Sequence, residues 1–312
     1  MNKFTIHDDM YTLSEDTSCI YVSYQDLTTL PDFSKFTKLI SLNCSDNNLT
    51  SLPPLNSCLL CLYCNNNKLT ILPPLNDSLR ELQCSFNQLT SLPKLNNCLK
   101  ELYCSCNKLT ELPPLNKSLK ILWCDNNQLT LLPPLNDSLR SLHCSINQLT
   151  SLPPLNDSLI ELYCSGNKLT ALPPLKNSLN ILCCNNNQLT SLPPLNDSLI
   201  HLCCNKNKLT SLPLLNDSLR QLFCSDNQIK YLVLYDKINT ANNIKNINTI
   251  TRFREVYFLS KFRLKFHKWL WKSREQRIQK RFHFKYLDEV IKKNENNPDF
   301  NLDDFLENWE FK

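Results

Sequence analysis

The fold class that the sequence predicts is a solenoid with a parallel β-sheet on its concave face and an extended, polyproline-like convex side, followed by a small α-helical C-terminal unit. Three observations predict it. Leucine recurs at position 39 and at every twentieth residue to Leu219 without an insertion, and a fixed period of this length marks a coil of stacked identical units. Inside each unit the segment Leu-x-Cys alternates apolar and variable residues, the period of a strand with one buried face. The chain holds 18 Pro but one glycine, Gly166, in 312 residues. Its tight turns therefore need another residue, and Asn, which tolerates left-handed backbone, is the expected substitute.

Taken in order, residues 1–18 form an N-terminal cap and 19–38 a degenerate first repeat. There Ile20, Val22, Leu27 and Leu30 stand 22 residues ahead of Leu42, Cys44, Leu49 and Leu52. Ten repeats of 20 residues fill 39–236, each reading L-x-x-L-x-C-x-x-N-x-L-T-x-L-P-P-L-N-x-S, as in LRSLHCSINQLTSLPPLNDS from Leu139 to Ser158. Stacked at about 4.8 Å, the leucines become continuous buried ladders and the array reaches on the order of 50 Å. The ladder from Asn47 to Asn227 falls where the chain leaves the strand, and its side-chain amides can pair backbone groups inside the turn. Pro-Pro pairs fix an extended backbone and lack donors, which suits a segment with no sheet partner.

Ten of the 17 cysteines share one inward slot: Cys44, Cys64, Cys84, Cys104, Cys124, Cys144, Cys164, Cys184, Cys204 and Cys224. A buried thiol packs as a small apolar side chain of low reactivity. The C-x-x-C spacings of Cys58, Cys61 and Cys64 would suggest half a zinc site in another fold, but alternation turns Cys61 outward and Cys64 inward. Near His201 the pairs Cys183-Cys184 and Cys203-Cys204 divide in the same way. Three ligands then remain outside, one short of a closed structural zinc site, so no metal and no cofactor is expected. The odd cysteine count and the start MNKFTIHDDMYTLSEDTS, which has no apolar stretch, suggest a reducing, cytoplasmic setting. No run is long enough to span a bilayer, so no membrane is expected as a partner.

Candidate partner-binding residues come from the outward strand slot between Leu and Cys. In order it holds Asn43, Tyr63, Gln83, Tyr103, Trp123, His143, Tyr163, Cys183, Cys203 and Phe223. Tyr63, Tyr103, Trp123, His143, Tyr163 and Phe223 are large, rigid rings of the kind that concentrate binding energy at protein interfaces. The alternative is that aromatic residues simply favour strands and stack across the sheet. Flanking slots add Glu81, Glu101, Glu161, Asp125 and His201.

Beyond Tyr235 the period stops. Residues 237–251 read as a linker or cap, and 252–312 as a helical tail, basic and then acidic. From Arg252 to Lys285 there are 12 Lys or Arg against two acids; from Tyr286 to Lys312 there are three against eight. The net charge of +5 therefore leaves residues 1–251 neutral. Phe262, Phe266, Trp269 and Leu270 share helical spacing. A basic helix with interleaved aromatics can pair with the acidic segment or bind nucleic acid or another acidic surface.

The unit L-x-x-L-x-C-x-x-N-x-L resembles the leucine-rich repeat signature with Cys in its third apolar slot, over about two thirds of the chain. The half L-T-x-L-P-P-L is similar to the short twenty-residue class of secreted bacterial effectors, which implies a horseshoe that binds other proteins. Some of those effectors carry a cysteine-dependent ubiquitin ligase after the repeats. Residues 236–312 contain no Cys, so that activity is not implied. The tail segments WLWKSREQRIQKRFHFKYL and LDDFLENW resemble the C-terminus of proteins from giant DNA viruses of amoebae, with Phe282, His283 and Phe284 where that pattern often has Tyr-His-Pro. This implies a viral origin and a host-cytoplasmic site of action. One glycine excludes a Gly-rich phosphate loop, and no H-E-x-x-H or nucleophile–base motif occurs. The expected function is a non-enzymatic protein-interaction scaffold.

Overall fold

Short strands arise wherever the Leu-x-Cys alternation occurs, and the computed structural model of the chain describes them across residues 2–6, 9–13 and 16–229. Strands β1 (Asn2–Ile6) and β2 (Asp9–Leu13) make an antiparallel hairpin of their own. The main sheet is parallel and has eleven strands in chain order. It runs from β3 (Cys19–Tyr21) and β4 (Ser41–Asn43) through β5 (Cys61–Tyr63), β6 (Glu81–Gln83), β7 (Glu101–Tyr103), β8 (Ile121–Trp123) and β9 (Ser141–His143). It ends with β10 (Glu161–Tyr163), β11 (Ile181–Cys183), β12 (His201–Cys203) and β13 (Gln221–Phe223). Every neighbour pairs residue i with i+20 except β3 and β4, where Ile20 faces Leu42. The linker at 237–251 and the helical tail at 252–312 lie outside the described residues.

One three-residue strand offers few ladder bonds, and the coil compensates by continuing the ladder past it. Cys64 N donates to Gln83 O, Asn66 N to Ser85 O, and Lys68 N back to Leu49 O, and the pattern recurs along the array. Inside, the leucines at places one, four and eleven are almost fully closed to solvent, as are nine of the ten ladder cysteines. Two expectations change. Cys224, just after the last described strand, is only half-buried, and the leucines at places fourteen and seventeen are some buried and some half-buried, as Leu95 and Leu115 are. They form the rim of the core, where the extended proline segment leaves gaps. At the N-terminal end Phe33 and Phe36 meet edge-on, ring centroids 6.0 Å apart, and close the core.

The turn after each strand passes through the left-handed region at the eighth place. Asn66, Asn126 and Asn186 occupy it as expected, and so does Gly166, but Asp46, Phe86, Cys106, Ile146, Lys206 and Asp226 adopt it as well. The Asn substitution for glycine thus holds at three of ten turns. Gly166, Asp46 and Asp226 also tolerate it, whereas at Phe86, Cys106, Ile146 and Lys206 the inter-coil hydrogen bonds enforce the conformation on residues that resist it.

What holds the turns is the ninth-place Asn. Asn107 Nδ2 donates to Cys84 O at 3.0 Å, Cys104 O at 3.1 Å and Ser105 O at 3.2 Å, while its Oδ1 accepts from Leu89 N at 2.9 Å. Each amide therefore ties its own turn to the coil before it. A second Asn ladder, at place eighteen, does the same for the convex side: Asn116 Nδ2 donates to Asn96 O and Leu99 O, and Asn96 Nδ2 to Asn76 O and Leu79 O. Lys176 interrupts it and pairs instead with Asp157 at 2.8 Å.

Candidate binding surface

Alternation along each strand puts places three, five and seven on the outward face of the sheet, one row per place. In the middle row Tyr103, Trp123, His143 and Tyr163 lie on consecutive strands. Their rings form one stack. Tyr103 meets Trp123 edge-on at 5.0 Å, Trp123 lies parallel to His143 at 4.4 Å, and His143 tilts over Tyr163 at 4.2 Å. Tyr63 is separated from this stack by Gln83, and Phe223 by Cys183 and Cys203. Of the six candidate residues, then, four come together and two stand apart. Only Trp123 and Phe223 are exposed; Tyr103, His143 and Tyr163 are half-buried because each ring covers its neighbour, and Tyr63 is half-buried between Asn43 and Gln83.

Carboxylates frame the stack. Tyr63 Oη donates to Glu81 Oε2 at 3.0 Å and Tyr103 Oη to Glu101 Oε2 at 2.9 Å. Burial and these acceptors push both phenols up from their ordinary value. Asp125 Oδ1 accepts from Ser145 N at 2.7 Å, and its other oxygen lies 3.9 Å from His143 Nδ1. Glu161 Oε2 lies 4.0 Å from His143 Nε2, a nitrogen that is buried and has no hydrogen-bond partner. Desolvation between the two rings lowers the imidazole pKa, against the pull of Asp125 and Glu161 upward. At neutral pH the ring is therefore an uncharged member of the stack.

Between residues 41 and 225 the three outward rows carry Glu81, Glu101, Asp125 and Glu161 but no Lys or Arg. The cations stand just beside them. Arg80, Lys100, Lys120 and Arg140, at place two of four successive units, form an exposed basic row along the strand starts. Reading the slots one at a time misses this row, and its signal is the same period of twenty. A cluster of three or more His, Cys, Asp or Glu able to hold a metal does not occur among the described residues.

Comparisons agree with this architecture. The family model for leucine-rich repeats (two copies) matches residues 77–117, 99–137 and 137–177. Among solved structures, YopM, a leucine-rich effector protein from Yersinia pestis, superposes with a TM-score of 0.65 at 36% identity, covering 67% of this chain and 61% of that one. The functional domain of InlJ from Listeria monocytogenes, which includes a cysteine ladder, gives 0.52 at 26% identity over 68% of this chain and 54% of that one. Toll, solved in the Drosophila Toll–Spätzle complex, shares the fold at 0.56 and 22% identity, with 74% of this chain and 36% of that one covered. This chain thus spans less than two thirds of the length of each. None of the curated proteins compared matches the chain. Period, register and core composition together with these matches establish the chain as a leucine-rich repeat protein.

Proposed function

We propose that the protein is a non-enzymatic interaction scaffold that holds a protein partner along the concave, outward face of its sheet. The contiguous stack Tyr103–Trp123–His143–Tyr163 carries this reading. It is rigid before any partner arrives, so little side-chain entropy is lost on binding, and Trp123 at its centre remains exposed. The carboxylates around it and the row from Arg80 to Arg140 beside it form two stripes of opposite sign. A partner segment with cationic side chains over the rings and carboxylates toward the row would be fixed in register by both.

The test is affinity capture with immobilised full-length protein, comparing wild type with a triple variant in which Tyr103, Trp123 and Tyr163 become Ala. Loss of the captured partner, with the far-ultraviolet circular dichroism unchanged, supports the reading; equal capture by both proteins overturns it. A second reading rests on the charge of Arg252–Lys285, 12 cations against two acids. This segment would bind nucleic acid or another acidic surface, and its affinity would then fall steeply with added salt. A setting in the cytoplasm, where thiols stay reduced, suits the free cysteines of either reading.

A further inference from the structure

Strands β11 and β12 each turn a cysteine outward at the same register, so Cys183 lies directly opposite Cys203. Both are half-buried free thiols. No other neighbouring strands place two cysteines together in this row. The pair is bracketed by aromatic rings, Tyr163 beside Cys183 and Phe223 beside Cys203. Neighbours in a parallel ladder stand about 4.8 Å apart, inside the roughly 4.4–6.8 Å that a disulfide spans between Cα atoms.

The two thiols titrate as a pair, so that loss of one proton is favoured and loss of the second resisted, the asymmetry that a nucleophile and its resolving partner require. The Cys183 thiol donates a hydrogen bond to Cys203 sulfur, which holds Cys203 below the ordinary thiol value and lifts Cys183 above it. One residue further on, Cys184 and Cys204 have the same spacing but are closed to solvent, and burial pushes both well above the usual thiol value. Geometry alone therefore does not separate the two pairs, whereas access and ionisation do. In the adjacent outward row His201 Nδ1 pairs with Gln221 Oε1 at 3.0 Å.

We propose that Cys183 and Cys203 form a reversible dithiol–disulfide site on the partner-facing surface, oxidised by hydroperoxides. The Cys203 thiolate attacks one peroxide oxygen; the O–O bond breaks, Cys203 becomes a sulfenic acid, and the other oxygen leaves as water after taking a proton. The Cys183 sulfur then attacks the sulfenic sulfur. The S–S bond forms, the S–O bond breaks, and the hydroxide leaves as a second water with the Cys183 proton. Two thiols give up two electrons and one hydroperoxide accepts them. Drawing the Cβ atoms in from sheet spacing to about 3.8 Å asks β11 and β12 to adjust, which leaves the bond readily reduced by an external dithiol.

This site needs no partner to be observed, so its test stands apart from the scaffold reading. Reduced full-length protein is exposed to graded hydrogen peroxide and its remaining thiols are blocked with N-ethylmaleimide. Cleavage before Asp157, Asp197 and Asp217 then puts the two cysteines on separate peptides for mass spectrometry. The linked peptide is expected first, at roughly tenfold less peroxide than oxidises the exposed Cys58 and Cys98, and dithiothreitol should remove it. In Cys183→Ser the linked peptide should vanish and dimedone should trap Cys203 as the sulfenic acid. Oxidation of Cys58 and Cys98 ahead of the link overturns the proposal. So does a linked peptide that survives in Cys183→Ser, since Cys184 and Cys204 would then be its source.

Discussion

Ile146 is a β-branched residue in the left-handed region, φ 53°, with 60% of its surface exposed. Its side chain crowds its own carbonyl there, while its exposure means that little burial is lost if the side chain is shortened. Ile146→Asn should therefore raise stability by about 1 kcal/mol, read as a higher urea midpoint at unchanged slope. The reverse change at an equivalent turn, Asn126→Ile, should lower it by a similar amount; equal midpoints in all three proteins would contradict the strain. His143 supplies a second residue-scale prediction. Its folded pKa lies below the unfolded value, so the unfolded chain binds the proton more readily, and stability is lost as pH falls from the unfolded value through the folded one. Asp125 and Glu161, which face the ring, are present in both proteins compared. Between pH 7 and 5 the melting temperature of wild type should therefore drop further than that of His143→Phe, which keeps the stack without the proton. A parallel decline in the two proteins would remove the imidazole from this account.

Strand, turn and ladder show unequal legibility, and physics explains which parts the sequence displays. The strand and the inward leucine and cysteine slots follow from alternation alone, because a single-residue slip would turn every apolar side chain into water. The ninth-place Asn was equally plain. The second Asn ladder, from Asn56 to Asn216, was present in the repeat unit without an evident role, because its partners are carbonyls of the preceding coil rather than of its own turn. The aromatic row was legible as a list but not as a stack. The order of the row already sets Gln83 and the cysteine pair between the run Tyr103–Tyr163 and the rings of Tyr63 and Phe223, but nothing in the spacing gives the angles at which the rings of that run meet, or says that Tyr63 and Tyr103 are fastened to Glu81 and Glu101. The two ladders differ in a testable way. Asn107→Ala leaves buried Leu89 N without its acceptor, while Cys84 O, Cys104 O and Ser105 O each keep a second donor in Asn87 Nδ2, Asn127 Nδ2 and Phe86 N. A loss of about 2 kcal/mol is therefore expected, against about 3 kcal/mol for Asn116→Ala, which takes the side-chain donor from Asn96 O and Leu99 O and the acceptor from Ser118 N. Equal losses in chemical denaturation would mean that convex and turn-side ladders carry the same share.

Across the molecule, each coil leans only on its two neighbours, so stability is close to a sum over units and interfaces, while the candidate surface belongs to four particular units. Those two properties can be separated by removing whole units. Deleting residues 179–198 joins Ser178 to Leu199, restores the repeat at the junction and brings Tyr163 beside Cys203, leaving the ring stack from Tyr103 to Tyr163 intact. Deleting 119–138 removes the five leucines of the same repeat places together with the exposed Leu131, but takes Trp123 out and puts Tyr103 beside His143. Both shortened chains should unfold cooperatively, with a denaturant slope lower by about a tenth, because each exposes one coil less. Partner capture should survive the first deletion and fail in the second. Removing only 179–188 breaks the period, exposes inward leucines on one side of the cut and should abolish the cooperative transition. Loss of capture in both twenty-residue deletions would place the binding surface beyond the aromatic stack, whereas capture by both would show that any run of these coils suffices.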